Sequence, residues 1–274
     1  MIQLVAFDID GTLLNDEHQL VPSTEVALKE LKQRGIEIVI NSGRPYPGVK
    51  PVVDLIGAKW VRYVSCFNGG LILDLKTNET LYQATLNQAD IEAIAKFANE
   101  EQVDVHIYGE QDILIQQAPR YQYAEYEAEI VHMGVRVHDF VQSPSSVSTS
   151  KVMITANPER IEKLLQIMPG ELNQHFEIMR SAPFFLEFTP KNVDKGNGLH
   201  QLADKLNIAQ RDVMAFGDNE NDLSMLKWAG VGVAMGNAPP VVRETADTIT
   251  DDNNHDGIMN SLRQYIFHAE DAHE

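Results

Sequence analysis

Val5-Ala6-Phe7-Asp8-Ile9-Asp10-Gly11-Thr12 is the stretch from which the fold and its chemistry can be read. Leu4 to Phe7 is wholly apolar with no helical period, the pattern of a strand buried on both faces of a parallel sheet. Two carboxylates come next, one apolar residue apart, and Gly11-Thr12 then breaks the strand. Ligands of an open α/β sheet sit beyond the carboxyl ends of its strands, which is where these acids fall. Extended backbone alternates its side chains, so Asp8 and Asp10 are expected to face one space, and a bound cation is the natural way to keep both ionised. Asp and Gly are also ordinary turn residues, which leaves a plain turn as the alternative. A calcium loop is excluded, because position five counted from Asp8 is Thr12 and position six, where Gly is required, is Leu13.

With 274 residues the chain suits one large domain or two modest ones. No apolar run approaches the ~20 residues of a membrane span, and no basic segment followed by an apolar one stands at the N-terminus. The expected location is therefore cytoplasmic, with no membrane partner. Cys66 is the single cysteine, which excludes an internal disulfide and a thiolate cluster. Its strand-like setting, Val64 to Phe67, makes it a small buried hydrophobe. A formal charge of −18 argues against a nucleic-acid binder. An acidic protein that handles a phosphorylated substrate also needs local positive charge, from a metal, a Lys or an Arg.

Pro22 to Gly35 reads as a helix, with Val26, Leu28 and Leu31 on its apolar side and Gly35 at its C-terminal cap. The apolar strand Ile36 to Ile40 ends in Asn41-Ser42-Gly43-Arg44-Pro45. That loop reads equally well as a phosphate cradle or as a plain strand-to-helix turn. Val61 to Phe67 and Leu71 to Leu75 flank Asn68-Gly69-Gly70, a hairpin turn. From about Thr85 the pattern becomes mixed: a helix over Asp90 to Glu100, strands at Val103 to Tyr108 and Ile113 to Gln116, an acidic aromatic stretch, and a serine-rich loop over Ser143 to Ser150. Strands at Lys151 to Ala156, Phe176 to Arg180 and Phe184 to Phe188, with a helix at Pro158 to Met168, complete it. The α/β pattern then returns. A helix over Asn197 to Leu206 precedes the strand Arg211 to Phe216, which again ends in carboxylates, Asp218 and Asp222. Spaced by four, Asp222 in a first helical turn can face back toward Asp218. Short strands at Val231 to Met235 and Thr248 to Ile249, with helices near Pro239 to Ala246 and His255 to Phe267, close the chain. The fold class expected is α/β: a doubly wound, mostly parallel, Rossmann-like core over 1–84 and 189–274, with an α+β cap inserted over 85–188.

In order, Asp8-Ile9-Asp10-Gly11-Thr12, Asn41-Ser42-Gly43-Arg44, Lys195-Gly196 and Gly217-Asp218 through Asn221-Asp222 resemble the four motifs of the haloacid dehalogenase-like phosphohydrolases. The cap's place, between the second and third motifs, resembles the Cof-type branch. Gly43-Arg44-Pro45-Tyr46, Ser181 through Glu187, and Glu220-Asn221-Asp222 continuing to Met235 resemble the sugar phosphatases of that branch. The resemblance implies Asp8 as the nucleophile that takes the phosphoryl group, and Asp10 as the acid for the leaving alcohol and then the base for water. It implies Mg²⁺ on Asp8, Asp218 and the backbone carbonyl of Asp10, with Asp222 a lesser candidate. Ser42, the Gly43 and Ile9 N–H groups and Asn221 would bind phosphoryl oxygens, and Lys195 would offset charge on the phosphoryl group and on Asp8. Arg44 would contact substrate or brace its loop. In the family's ion-pumping branch Thr stands where this chain has Asp10, so the chemistry implied is that of a phosphatase or mutase.

The function expected is thus a Mg²⁺-dependent phosphatase of small phosphate monoesters, chiefly sugar phosphates, acting as a monomer or homodimer. A sugar phosphomutase and a non-catalytic phosphosugar-binding regulator are the alternatives. Specificity is expected from the cap, where Tyr121, Tyr123 and Tyr126 with Glu125 and Glu127 either meet a sugar or form a partly buried helix with a solvated acidic face. His106, His132 and His138 lack metal-ligand spacing and read as structural. His255, His268 and His273 read as surface residues, and 270–274 as a frayed tail.

Overall fold

The computed structural model describes residues 1–57, 59–141 and 149–267. Of the serine-rich loop only Thr149 and Ser150 are described, and His268, His273 and the acidic tail lie outside the described residues. The chain divides into two compact units, Met1–Tyr82 with the chain from Asp194 onward, and Gln83–Val193. Among the described residues no helix is long and apolar enough to cross a membrane.

The first unit is built on an eight-stranded sheet in the order Thr248–Ile249, Val231–Ala234, Val213–Gly217, Leu4–Phe7, Glu37–Asn41, Tyr63–Cys66, Leu71–Asp74 and Glu79–Gln83. The strands from Thr248–Ile249 to Tyr63–Cys66 pair in parallel, and Leu71–Asp74 turns back antiparallel. Leu4 to Phe7 is fully buried, as an apolar run with helices on both sides of its sheet must be. The register aligns Phe7 with Ile40 on one neighbour and with Phe216 on the other, and the Phe7 and Phe216 rings stack at 5.1 Å. Three strands therefore end side by side, and the residues just past them, Asp8, Ser42 and Asp218, leave the sheet at one edge. Glu79–Gln83, whose side chains stay partly exposed, was not legible as a strand for want of a buried face.

The helix Pro22–Gln33 buries Thr24, Ala27, Leu28 and Leu31. Val26 is turned to solvent, 54% exposed, because its neighbours Ala27 and Leu28 already fill the inward arc. Gly35 comes after it at φ 74, the left-handed conformation of a helix C-terminus. Cys66 is fully buried, and burial raises its thiol's pKa, so it packs as a hydrophobe.

The second unit carries a six-stranded sheet in the order Phe176–Ala182, Phe185–Pro190, Val152–Thr155, Asp104–Tyr108, Asp112–Ile115 and Gly134–Val137. Val105, Ile107, Val152, Ile154, Leu186 and Phe188 pack with Ile91, Ile94 and Phe97 of the helix Gln88–Glu100, and with Ile161 and Leu164 of Pro158–Ile167. Alternate positions of the same strands carry buried polar groups. Lys151 Nζ bonds Glu187 Oε1 at 3.0 Å and stands 4.8 Å over the Tyr108 ring, whose hydroxyl donates to Glu127 Oε1 at 2.8 Å.

His106 lies within this polar layer, buried, and among the described residues neither of its ring nitrogens has a hydrogen-bond partner. Burial, aided by the nearby Lys151 charge, lowers its pKa to about 3. The unfolded chain takes up a proton near 6.5 that the folded chain refuses, so stability is expected to fall as pH drops from about 6.5 toward 3, by up to a few kcal/mol. Denaturation of wild type and His106→Leu at pH 7.5 and 4.5 checks this. The variant should lose much less between the two pH values, and equal losses would remove His106 as the cause.

Candidate active site

Asp8 stands directly after the strand Leu4–Phe7, its N–H donating to the Phe216 carbonyl at 3.1 Å. Its Oδ1 accepts from Lys195 Nζ at 2.5 Å, and Asp222 Oδ1 accepts from the same nitrogen at 2.5 Å. Lys195 is the first residue of the helix Lys195–Leu206, which is capped by the Asp194 carboxylate on the Asn197 N–H, and its side chain is 0% exposed. Gly196 is required beside it, because a Cβ there would stand 2.5 Å from the Ser224 backbone. The helix Leu223–Trp228, which carries Ser224, could then not approach Lys195–Leu206 closely enough to set the lysine between the two acids.

Asp222 is wholly buried and fully engaged. Its Oδ2 accepts the N–H groups of Asp218 and Asn219, each at 2.9 Å, while Oδ1 takes Lys195. The fold back toward Asp218 expected from the spacing of four is real, but Asp222 holds the backbone of that loop and not a face of its carboxylate. Gly217 makes room for it, since a Cβ there would lie 2.5 Å from Asp222 Cβ. Asp218 Oδ1 accepts from the Thr12 hydroxyl at 2.7 Å, and Gly11, at φ 78, leaves space for its carboxylate. Thr12 therefore orients an acid on a distant segment, a role that its place after Gly11 did not reveal.

Oxygens of Asp8, Asp218 and Asp222 lie within 4.8 Å of one another. Burial raises the Asp8 carboxyl to about 8 against the pull of the Lys195 ammonium, and Asp222 and Asp218 push it the same way. Burial likewise raises Asp218 to about 6, with the Thr12 hydroxyl pulling down. One lysine is thus too little positive charge for the three acids. Asp8 Oδ2 and Asp218 Oδ2 accept no hydrogen bond among the described residues. Two free, hard carboxylate oxygens in a surplus of negative charge fit a Mg²⁺ ion, which takes few protein ligands and keeps several waters.

Asp10, whose alternation with Asp8 allowed both to face one space, lies close enough for its charge to push the Asp218 carboxyl up. It is 48% exposed and held by Arg44, whose Nε and Nη2 bond its two oxygens at 3.0 and 2.6 Å. A guanidinium fork, and not a shared cation, relieves its charge. Arg44 is itself fixed by Nη1 on the Gly48 carbonyl at 3.3 Å. Ser42 Oγ accepts the Arg44 N–H at 3.2 Å, which leaves its own O–H to donate. The N–H groups of Ile9 and Gly43 meet no acceptor among the described residues. Asn221 donates from Nδ2 to Asn68 Oδ1 at 3.2 Å, and Asn68 was legible only as a turn residue.

In the second unit, the tyrosines for which a sugar contact and a partly buried helix were the two readings largely meet aromatic rings of their own unit. Tyr121 stacks on Tyr123 at 5.6 Å and Tyr123 on Phe184 at 4.7 Å, while Tyr126 meets Phe184 edge-on. Glu127 is buried under the Tyr108 hydroxyl, so it belongs neither to a solvated acidic face nor to a sugar site. His255 stays at the surface and bonds Asp252 at 2.6 Å.

The sequence pattern of the haloacid dehalogenase-like hydrolases matches residues 5–262. The chain belongs to that family. This hydrolase is 33% identical over 267 residues to the Bacillus subtilis protein named "Putative phosphatase YxeH", covering 97% of this chain and 99% of that one. A haloacid dehalogenase-like hydrolase from Bacteroides thetaiotaomicron superposes with a TM-score of 0.87 at 28% identity, over 96% of this chain and 99% of its own. A sugar phosphatase of subclass IIB of the superfamily superposes with a TM-score of 0.79 at 26% identity, over 96% and 98%. The α/β core with its inserted cap, expected from the motif order, is the architecture of these relatives.

Proposed function

We propose that this hydrolase is a Mg²⁺-dependent phosphatase of small phosphate monoesters, with sugar phosphates as its main substrates. The observation that carries the reading is the buried triad Asp8–Lys195–Asp222 at 2.5 Å with Asp218 beside it. Such an arrangement keeps one carboxylate oxygen of Asp8 free at the end of a rigid strand and surrounds it with fixed charge. The sugar preference rests on the Cof-type motifs and on the subclass IIB relative.

Asp8 Oδ2 attacks phosphorus in line, the bond to the ester oxygen breaks, and that oxygen leaves with a proton from Asp10. Water then attacks the aspartyl-phosphate, Asp10 takes its proton, and phosphate departs with Asp8 restored. Asp10 can carry a proton only by giving up at least one of its two bonds to Arg44, so that pair must loosen in each turnover. Ser42, the Ile9 and Gly43 N–H groups and Asn221 hold the phosphoryl oxygens, and Lys195 balances the charge that gathers on Asp8. Mg²⁺, when bound by Asp8, Asp218 and the Asp10 carbonyl, supplies the further positive charge the acids need. The small-metabolite substrate, cytoplasmic setting and monomeric or dimeric state belong to the same reading.

Phosphate release from a panel of sugar phosphates, with the metal removed by chelation and then restored, tests it. Release should fall at least a hundredfold on chelation and return with Mg²⁺, on the order of the several kcal/mol a catalytic cation supplies. Metal-independent release would overturn the cofactor, and transfer of the phosphoryl group to another hydroxyl without free phosphate would make the protein a mutase.

A further inference from the structure

The corner between Tyr63–Cys66 and Leu71–Asp74 has a more demanding geometry than a hairpin turn needs. Phe67 and Asn68 both stand at φ 53, two successive side-chain-bearing residues in the left-handed region, and Gly69 comes next at φ 93. Asn tolerates that region and Phe does so poorly, and backbone held in this way collects at functional sites. The conformation brings Asn68 against the Ser42–Arg44 loop. The Asn68 N–H donates to the Ser42 carbonyl at 3.0 Å, and the Phe67 N–H to the Arg44 carbonyl at 3.1 Å. A Cβ on Gly43 would lie 3.1 Å from Asn68 Oδ1, so this buried amide packs on the open side of that glycine. The same Oδ1 accepts from Asn221 Nδ2 at 3.2 Å. One side chain thus touches the glycine of one loop and the amide of the other, 153 residues away along the chain.

A primary amide on a loop rotates freely unless one of its groups is bound, and its nitrogen carries two N–H bonds. We infer that Asn68 is a positioning residue that fixes the plane of the Asn221 amide, so that the second Nδ2–H meets a phosphoryl oxygen beside the Gly43 N–H. The inference rests on the phosphate-binding reading of Gly43 and Asn221 given above. Asn68 acts through Asn221, so its loss should matter only while Asn221 is present.

Asn68→Gly removes the amide and keeps the backbone, because glycine takes φ 53 without strain. Inorganic phosphate binding in Mg²⁺ is measured by calorimetry for wild type, Asn68→Gly, Asn221→Ala and the double variant, beside kcat and KM for p-nitrophenyl phosphate. Asn68→Gly is expected to weaken phosphate and raise KM about tenfold, the loss of roughly one charge-assisted hydrogen bond, with kcat within about threefold. In the Asn221→Ala background the same change should add less than about twofold, the mark of two residues acting as one unit. Unchanged phosphate affinity in Asn68→Gly, or losses that multiply in the double variant, would overturn the inference and leave the phosphatase reading standing. A wild type that binds phosphate and hydrolyses nothing would remove the phosphatase reading, and the binding cycle would still decide for Asn68. A wild type that neither binds nor releases phosphate overturns both.

Discussion

Asp8→Asn is expected to lower Mg²⁺-dependent phosphate release by on the order of 10⁴- to 10⁶-fold, the range that loss of a covalent nucleophile costs. The substitution is isosteric, and the amide oxygen can still accept from Lys195 Nζ where Oδ1 accepts at 2.5 Å. What disappears is the free carboxylate oxygen. The loss is expected without unfolding, which thermal melting of the variant checks. Burial raises the Asp8 carboxyl to about 8, so the folded chain resists its ionisation, and a neutral amide removes that opposition. In metal-free buffer near pH 7 the variant should therefore melt at or above the wild-type temperature. Asp10→Asn should cost less, about 10²- to 10⁴-fold, because it removes proton transfer and leaves the nucleophile. Rapid-quench capture of a labelled phospho-enzyme separates the two: wild type and Asp10→Asn should trap label, and Asp8→Asn none. Activity of Asp8→Asn within tenfold of wild type would place the nucleophile elsewhere.

Each of these acids was visible in the sequence because a buried parallel strand announces itself as an unbroken apolar run, and the residues just past its carboxyl end must lie at the sheet's ligand edge. The same logic placed Ser42 and Asp218 at that edge, and the register sets their strands beside Leu4–Phe7, although the Ser42 loop by itself read equally well as a plain turn. What the pattern could not carry was side-chain direction beyond the strand end. Asp10 sits past the end of the strand Leu4–Phe7, where alternation no longer binds, and its carboxylate goes to Arg44. Asp222, which the resemblance implied only as a lesser metal candidate, bonds Lys195 and two backbone N–H groups, contacts that no local sequence pattern announces. Asn68 and Thr12 were hidden for the opposite reason: Asn before Gly and Thr after Gly are ordinary loop residues, and only long-range contacts give them a task. In the second unit the strands Asp104–Tyr108, Asp112–Ile115, Val152–Thr155, Phe176–Ala182 and Phe185–Pro190 fall where the sequence placed strands, and Gly134–Val137, whose side chains stay largely exposed, was missed for want of a buried face. What the pattern did not give there was the buried polar layer opposite the apolar face, because polar residues alternating with apolar ones read as solvent-facing.

Lys195→Met tests the electrostatic core of the site and should damage both stability and activity. The ammonium is wholly enclosed and bonded to Asp8 and Asp222 at 2.5 Å. Burial alone would lower its pKa, but the two carboxylates outweigh burial and hold it above the ordinary value. A lysine raised in the folded state lends stability that is complete below its unfolded value and lost only as pH climbs past it, so the whole contribution is present from pH 6 to 9. Removing one partner of a buried pair leaves an uncompensated charge, at a cost of about 3–5 kcal/mol. Activity should fall in step, by on the order of 10²- to 10³-fold, as fixed positive charge is lost from the site of phosphoryl transfer. Lys195→Arg should not restore it, because a planar fork does not fit where a compact ammonium sits between two oxygens beside Gly196. The double variant Lys195→Met, Asp222→Asn separates the two effects. Its amide still accepts from the Asp218 and Asn219 N–H groups while one stranded charge is gone, so part of the stability should return and none of the activity. Recovery of activity along with stability would mean that Lys195 serves the fold alone.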